Sequence, residues 1–209
     1  MVASKKLVFF DTETTGKWNF KHPVDAPSQP YIVQLAALVT DLDGNELNYF
    51  TTLICPTNGY NFVIEKQAES VHGVSFDACC EFGVHINAAM LMFNQFMINA
   101  VAGVAHNIDF DAKMIASTCK RIRKPDRLET KPNICTMKIY TPIVKLPPKK
   151  SGTAFKWPTL TETHQHLYGE GFEGAHDALI DVRACKRVYF SLPESERRKF
   201  EAGGAMPRC

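Results

Sequence analysis

The sequence predicts an α/β domain built on a mixed β-sheet. Two observations carry this. Short apolar runs that stop abruptly at polar residues come first in the chain, and further on such runs alternate with helical periodicity. A third observation is length: 209 residues, 45% of them hydrophobic, suffice to bury one sizeable core. The expectation is a single domain over 1–209, with a core of about 5–190 and a short C-terminal tail.

Lys5 to Phe10 opens the chain as a short buried strand, because Leu7, Val8, Phe9 and Phe10 are continuously apolar and Asp11 ends the run. Ile32 to Val39 and Leu47 to Ile54 follow as strands, and Asp43-Gly44 between them predicts a hairpin. From Phe82 to Ile108 there is no Asp, Glu, Lys or Arg, a stretch long enough to cross a bilayer. Yet it contains His85, Asn87, Asn94, Gln95, Asn99 and His106, while Ile86, Met90, Phe93 and Met97 recur at helical spacing. The prediction is an amphipathic helix leading into a buried strand at Val101 to Ala105, with no membrane partner. Phe110 to Arg123, Thr159 to Leu167 and Ala178 to Phe190 are predicted helices. Lys17 to Pro30 and Pro142 to Pro158 are Pro-containing loops of more than usual length.

No signal peptide is expected, since Lys5 and Lys6 precede only four apolar residues before Asp11. The seven cysteines are scattered with no C-x-x-C pair, which predicts reduced thiols in the cytoplasm or another reducing intracellular compartment, not a secreted protein. The net charge of +2 hides a polarised distribution. Lys113 to Lys156 holds twelve basic residues against Asp126 and Glu129, whereas Asp41 to Glu81 holds seven carboxylates against Lys66. A basic excess of that size suits a polyanion, nucleic acid above all, although a solvated face without a partner has the same composition.

Three short elements carry candidate chemistry. Asp11 and Glu13, two apart where the first strand ends, would present carboxylates on one face, a repulsion that a divalent cation would relieve. His106 to Asp111 joins a strand end to a helix start, with Asp109 and Asp111 in the first turn. His176 to Asp181 opens the last strong helix. Singly, each has an ordinary reading: a solvated turn, acids favoured by a helix dipole, and an Asp177 cap.

Together and in this order they resemble the DnaQ-like exonucleases of the DEDDh type, on the ribonuclease H-like fold. The family's D-x-E-T-T-G is matched by Asp11 to Gly16, H-N-x-x-F-D by His106 to Asp111, and H-x-A-x-x-D by His176 to Asp181. His72-Gly73 matches a further His-Gly pair, so the similarity runs from about Lys5 to Phe190. The resemblance implies a 3′-to-5′ exonuclease acting on DNA or RNA, with nucleoside 5′-monophosphates as product. Asp11, Glu13, Asp111 and Asp181 would hold two divalent cations, Mg²⁺ or Mn²⁺, about 4 Å apart. His176 would be the general base. Thr14, Thr15, Trp18, His72 and Asn107 are the expected contacts to the substrate; Trp18 and Phe20 could stack on a base or equally pack the loop onto the domain. Lys149 and Lys150 are expected to guide the strand. The expected partner is a nucleic acid with a free 3′ end, single-stranded; some relatives are homodimers or work beside a polymerase. A catalytically silent nucleic-acid-binding or polymerase-associated module and a phosphodiesterase for small nucleotides are the competing readings. No motif reads the 2′-hydroxyl, so DNA and RNA stand equal.

Overall fold

In the computed structural model, residues 5–148 and 155–204 are described. The elements in chain order are β1 (Lys6–Thr14), β2 (Ile32–Thr40), β3 (Glu46–Leu53), α1 (Lys66–His72), α2 (Phe76–Phe82), α3 (Ile86–Ile98), β4 (Ala100–Ala105), α4 (Ile108–Arg121), β5 (Asn133–Cys135), α5 (Thr136–Val144), α6 (Leu160–Tyr168), α7 (Ala178–Phe190) and α8 (Glu194–Glu201). The strands form one mixed sheet in the order β3-β2-β1-β4-β5, with β2 antiparallel to both β1 and β3, and β4 parallel to both β1 and β5. The β2–β3 hairpin closes where expected. Asp41 accepts the backbone N–H groups of Asp43 and Asn45, and Gly44 takes the φ of +94° that the turn requires.

Both faces of the sheet are covered, which is why its inner strands read as unbroken apolar runs. Strand parity sorts their side chains. Val8 and Phe10 point into a core completed by α3 and α4 through Phe93, Met97, Met114 and Ile115. Leu7 and Phe9 point into a second core with Tyr140 of α5 and Val182, Val188 and Tyr189 of α7. The charge-free stretch Phe82 to Ile108 divides into α3 and β4, and no helix among the described residues is long and apolar enough to cross a membrane.

Several elements differ from expectation. β1 continues through Asp11 and Glu13 to Thr14 instead of stopping at Phe10. α1, α2, α5 and α8 are additional helices. The loop predicted from Pro142 begins later, because Pro142 lies in the last turn of α5, where its missing N–H removes only one helical bond. The Lys17 to Pro30 loop has no regular structure, but it is tightly built. The buried Gln29 amide donates to the carbonyls of Asn19, His22 and Pro23 and accepts from Asn19 N–H. Arg121 donates to the carbonyls of Pro30, Ala26 and Gln29 while its guanidinium stacks 3.9 Å from the Tyr31 ring centroid. One member of the basic segment is thereby committed to a loop and not to a ligand.

Candidate active site

The site is created where β1 outruns its parallel neighbour. β4 pairs with β1 only as far as Phe9, so on that side the backbone of Thr12 has no strand to bond. Asp111, in the first turn of α4, takes the place of a strand: its Oδ1 accepts from Thr12 N at 3.1 Å and from Thr12 Oγ1 at 2.7 Å. Asp11 and Glu13 continue the parity of Leu7 and Phe9 and so turn toward α7. Asp181 stands in the first turn of α7, and its Oδ2 accepts the His176 backbone N–H at 3.0 Å.

His176 has φ of +74°, the left-handed region that a residue with a Cβ enters at a cost. The turn is fixed by Gly174, also left-handed, and by Asp177, whose carboxylate caps α7 through Leu179 N and Ile180 N. Buried Gln34 holds the start of α7 against the sheet by accepting from Ala178 N at 3.3 Å. The result places donor atoms of Glu13, His176 and Asp181 within 4.8 Å of one another.

Electrostatics join the remaining two acids to this group. Burial, then Asp111, Glu13, Asp181 and Asp177, push Asp11 well above the usual carboxylate range. Burial, then Asp181, Asp111 and Asp177, raise Glu13 to about 8. Asp111 is pushed up to about 7, by burial and by Asp181 and against the two bonds from Thr12. Asp181 is raised by burial and by Asp177, and lowered by the His176 N–H and ring. The charges acting on Asp11 and Glu13 are all negative, and the hard oxygen donors around them fit divalent cations.

A stability prediction follows from the signs. Folded-state values above the unfolded ones mean that the folded protein binds extra protons, and the stability they provide is lost as pH rises through about 7 to 8. His106 works oppositely but only at lower pH, because burial holds it down to about 4 and its effect is complete once a free imidazole is neutral. In chelator, the melting temperature is expected to fall between about pH 6.5 and pH 8, and excess Mg²⁺ or Mn²⁺ to abolish the fall. A melting temperature that rises with pH in chelator would contradict this cluster.

The other expected site residues divide into engaged and free groups. Thr14 Oγ1 donates to Gly16 O, and Thr15 Oγ1 accepts from Tyr31 N. His72 Nδ1 accepts from Val74 N, which leaves Nε2–H to donate to Thr14 O at 3.2 Å. These three therefore shape the end of β1 through backbone contacts. Trp18 is half-buried against the core, whereas Phe20 is 80% exposed. Asn107 is exposed, left-handed (φ 65°), and makes no side-chain cap to α4. Lys149 and Lys150 lie outside the described residues. Beside Glu13 opens a cavity of about 310 Å³ whose lining includes Thr14, Gly16, Glu65, Val71, His72 and Phe110. A Cβ at Gly16 would lie 2.5 Å from a Glu65 carboxylate oxygen, so a larger residue there would make the Glu65 side chain move aside.

Two contributors were not singled out from the sequence, and a third, His106, was given no role of its own. Thr12 anchors Asp111, and Gln34 positions α7; neither carries a spacing signal. His106, the first residue of the second motif, bonds Thr136 Oγ1 at 2.9 Å and Pro158 O at 3.0 Å, so it ties the start of α6 to the end of β4.

The family model described as Exonuclease (RNase_T) matches residues 8–189. The chain belongs to this family. Its members are the DnaQ-like 3′-to-5′ exonucleases of the ribonuclease H-like superfamily, and they depend on divalent metal. No curated protein gives a significant sequence match. Among solved structures, E. coli exonuclease I in complex with a dT13 oligonucleotide superposes with a TM-score of 0.73 at 16% identity, covering 95% of this chain and 43% of that one. The zinc-bound E. coli exonuclease I–ssDNA complex gives 0.69 at 18% identity, with 94% and 42% covered. Exonuclease I from Methylocaldum szegediense gives 0.68 at 19% identity, again with 94% and 42% covered. At such identity the likeness establishes the fold, and the exonuclease-family chain spans less than half the length of these proteins.

Proposed function

We propose that the chain hydrolyses single-stranded nucleic acid from a free 3′ end and releases nucleoside 5′-monophosphates, with Mg²⁺ or Mn²⁺ held by Asp11, Glu13, Asp111 and Asp181. The observation that carries this reading is the convergence of four carboxylates and His176 from three separated motifs at the open end of β1. When bound, the divalent cations supply the acidity that makes water a nucleophile and neutralise charge developing on the phosphate and the departing 3′ oxygen. His176, on the exposed side of Glu13 and Asp181, takes the proton of the attacking water. Thr12 holds one oxygen of Asp111 and leaves the other for a cation. The cavity beside Glu13, with Val71 and Phe110 in its wall, receives the terminal nucleoside. The single-stranded oligonucleotides held by E. coli exonuclease I support that choice of substrate.

A silent binding module is disfavoured by the same geometry, because binding a polyanion is hindered, not helped, by four converging acids. The test is digestion of a 5′-labelled single strand with Mg²⁺ or Mn²⁺. A ladder shortening from the 3′ end is expected, abolished by chelator and blocked by a 3′ phosphate. Cutting of a circular strand, or undiminished hydrolysis in chelator, would refute the reading.

A further inference from the structure

We infer that the outer face of α4 is the track along which the substrate strand leaves the catalytic carboxylates, a reading that deepens the proposed function and rests on it for the identity of the ligand. α4 serves two directions at once. Asp111 points into the site, while Asp109 and Lys113, two residues to either side of it, line a groove of about 640 Å³ that continues along the helix to Lys124. Ala112 and Ala116, about one helical turn apart, are small residues in its lining.

Lys113, Lys120 and Lys124 stand along this groove, and none of the three has an ion-pair partner among the described residues. The neighbouring acids do not cancel them equally. Asp109 is bound to Lys138 at 2.6 Å. Asp126 spends its carboxylate on the backbone N–H groups of Leu128 and Glu129, and burial raises it above the usual range. Glu129 is the exposed opposing charge.

Toward the N-terminal end of α4, the Lys113 amino group lies 4.7 Å from the centroid of the Phe20 ring. Phe20 is held 80% exposed on the loop that Gln29 and Arg121 fix from beneath, so the ring is presented at little ordering cost. An exposed aromatic beside a cation suits a base on the ring face and its phosphate on the amine. Lys113 and Lys120 are about 10 Å apart along the helix axis. Several linked nucleotides are needed to touch both; a dinucleotide in the catalytic site leaves Lys120 and Lys124 unused.

That length requirement supplies the test. The K120A/K124A double variant of the full chain is compared with wild type in two assays. The first is binding of an oligothymidylate of about twenty nucleotides in chelator, where no hydrolysis occurs. The second is hydrolysis of that strand and of a thymidine dinucleotide with Mn²⁺. Binding of the long strand is expected to weaken about tenfold at moderate salt, and the slope of log affinity against log salt to become shallower by about 1.4, or 0.7 for each phosphate that a lysine no longer neutralises. KM for the long strand should rise with kcat unchanged, and the dinucleotide should be cleaved as by wild type. Unchanged affinity and salt slope would overturn the track, as would an equal loss on the dinucleotide, which would make the lysines supports of the catalytic site. Wild-type protein that binds the long strand but cleaves neither these substrates nor an oligouridylate of the same length would defeat the nuclease reading instead, and the chelator assay would still judge the track.

Discussion

Asp11→Ala is expected to lower turnover by about 10³-fold or more while raising the melting temperature of the metal-free protein. The two effects have one cause. Asp11 is buried among Asp111, Glu13 and Asp181, each of which raises it, so the ionised form is costly until a cation arrives. Removal relieves the repulsion in the metal-free state and, on the proposed reading, deletes a cation ligand in the working one. Circular dichroism melts in chelator and single-turnover hydrolysis with Mn²⁺ measure both sides. An unfolded variant would make Asp11 a structural residue, and undiminished turnover would remove it from the mechanism.

His176→Ala is expected to lower turnover by about 10²- to 10⁴-fold with cation affinity retained. Histidine tolerates the φ of +74° better than alanine does, so a circular dichroism melt of the variant accompanies the comparison to check that the turn and fold are kept. The rival role is that of a cation ligand, which the 4.8 Å clustering of His176 with Glu13 and Asp181 makes a serious one. Titration of Mn²⁺ separates them: a base leaves the binding curve in place, whereas a ligand shifts it. If the curve moves by the same factor as turnover, the base assignment falls.

Much of this site was legible because its signals are local. The parity that sorts Leu7 and Phe9 from Val8 and Phe10 carries on to Asp11 and Glu13, and the two acids of the helix starts lie in first turns, as their spacing implies. What was hidden depends on partners distant in sequence. Arg121 reads as one more basic residue until it is found bonded to carbonyls some ninety positions earlier. Thr12 reads as a spacer until Asp111 arrives, 99 residues away. Pro142 is a breaker by composition, yet in a last turn it breaks almost nothing. The short helices α1 and α2, at seven residues each, hold too few turns to display a period.

The left-handed backbone at His176 bears on how such a chain drifts. A glycine there would relax the turn, and an amide in place of Asp11 or Glu13 would lift a repulsion, so such substitutions tend to make a sturdier molecule, whereas Asp111 and Asp181 also anchor backbone through their hydrogen bonds. Selection for folding alone would erode the motif within the lineage. A population maintained only for its ability to cling to polynucleotide would collect the relaxed variants first and hold on to the lysines of α4. Laboratory evolution under a pure thermostability screen offers the corresponding forecast: the earliest hits should fall at Asp11, Glu13 and His176, sparing Asp111 and Asp181, and should lower the proposed activity.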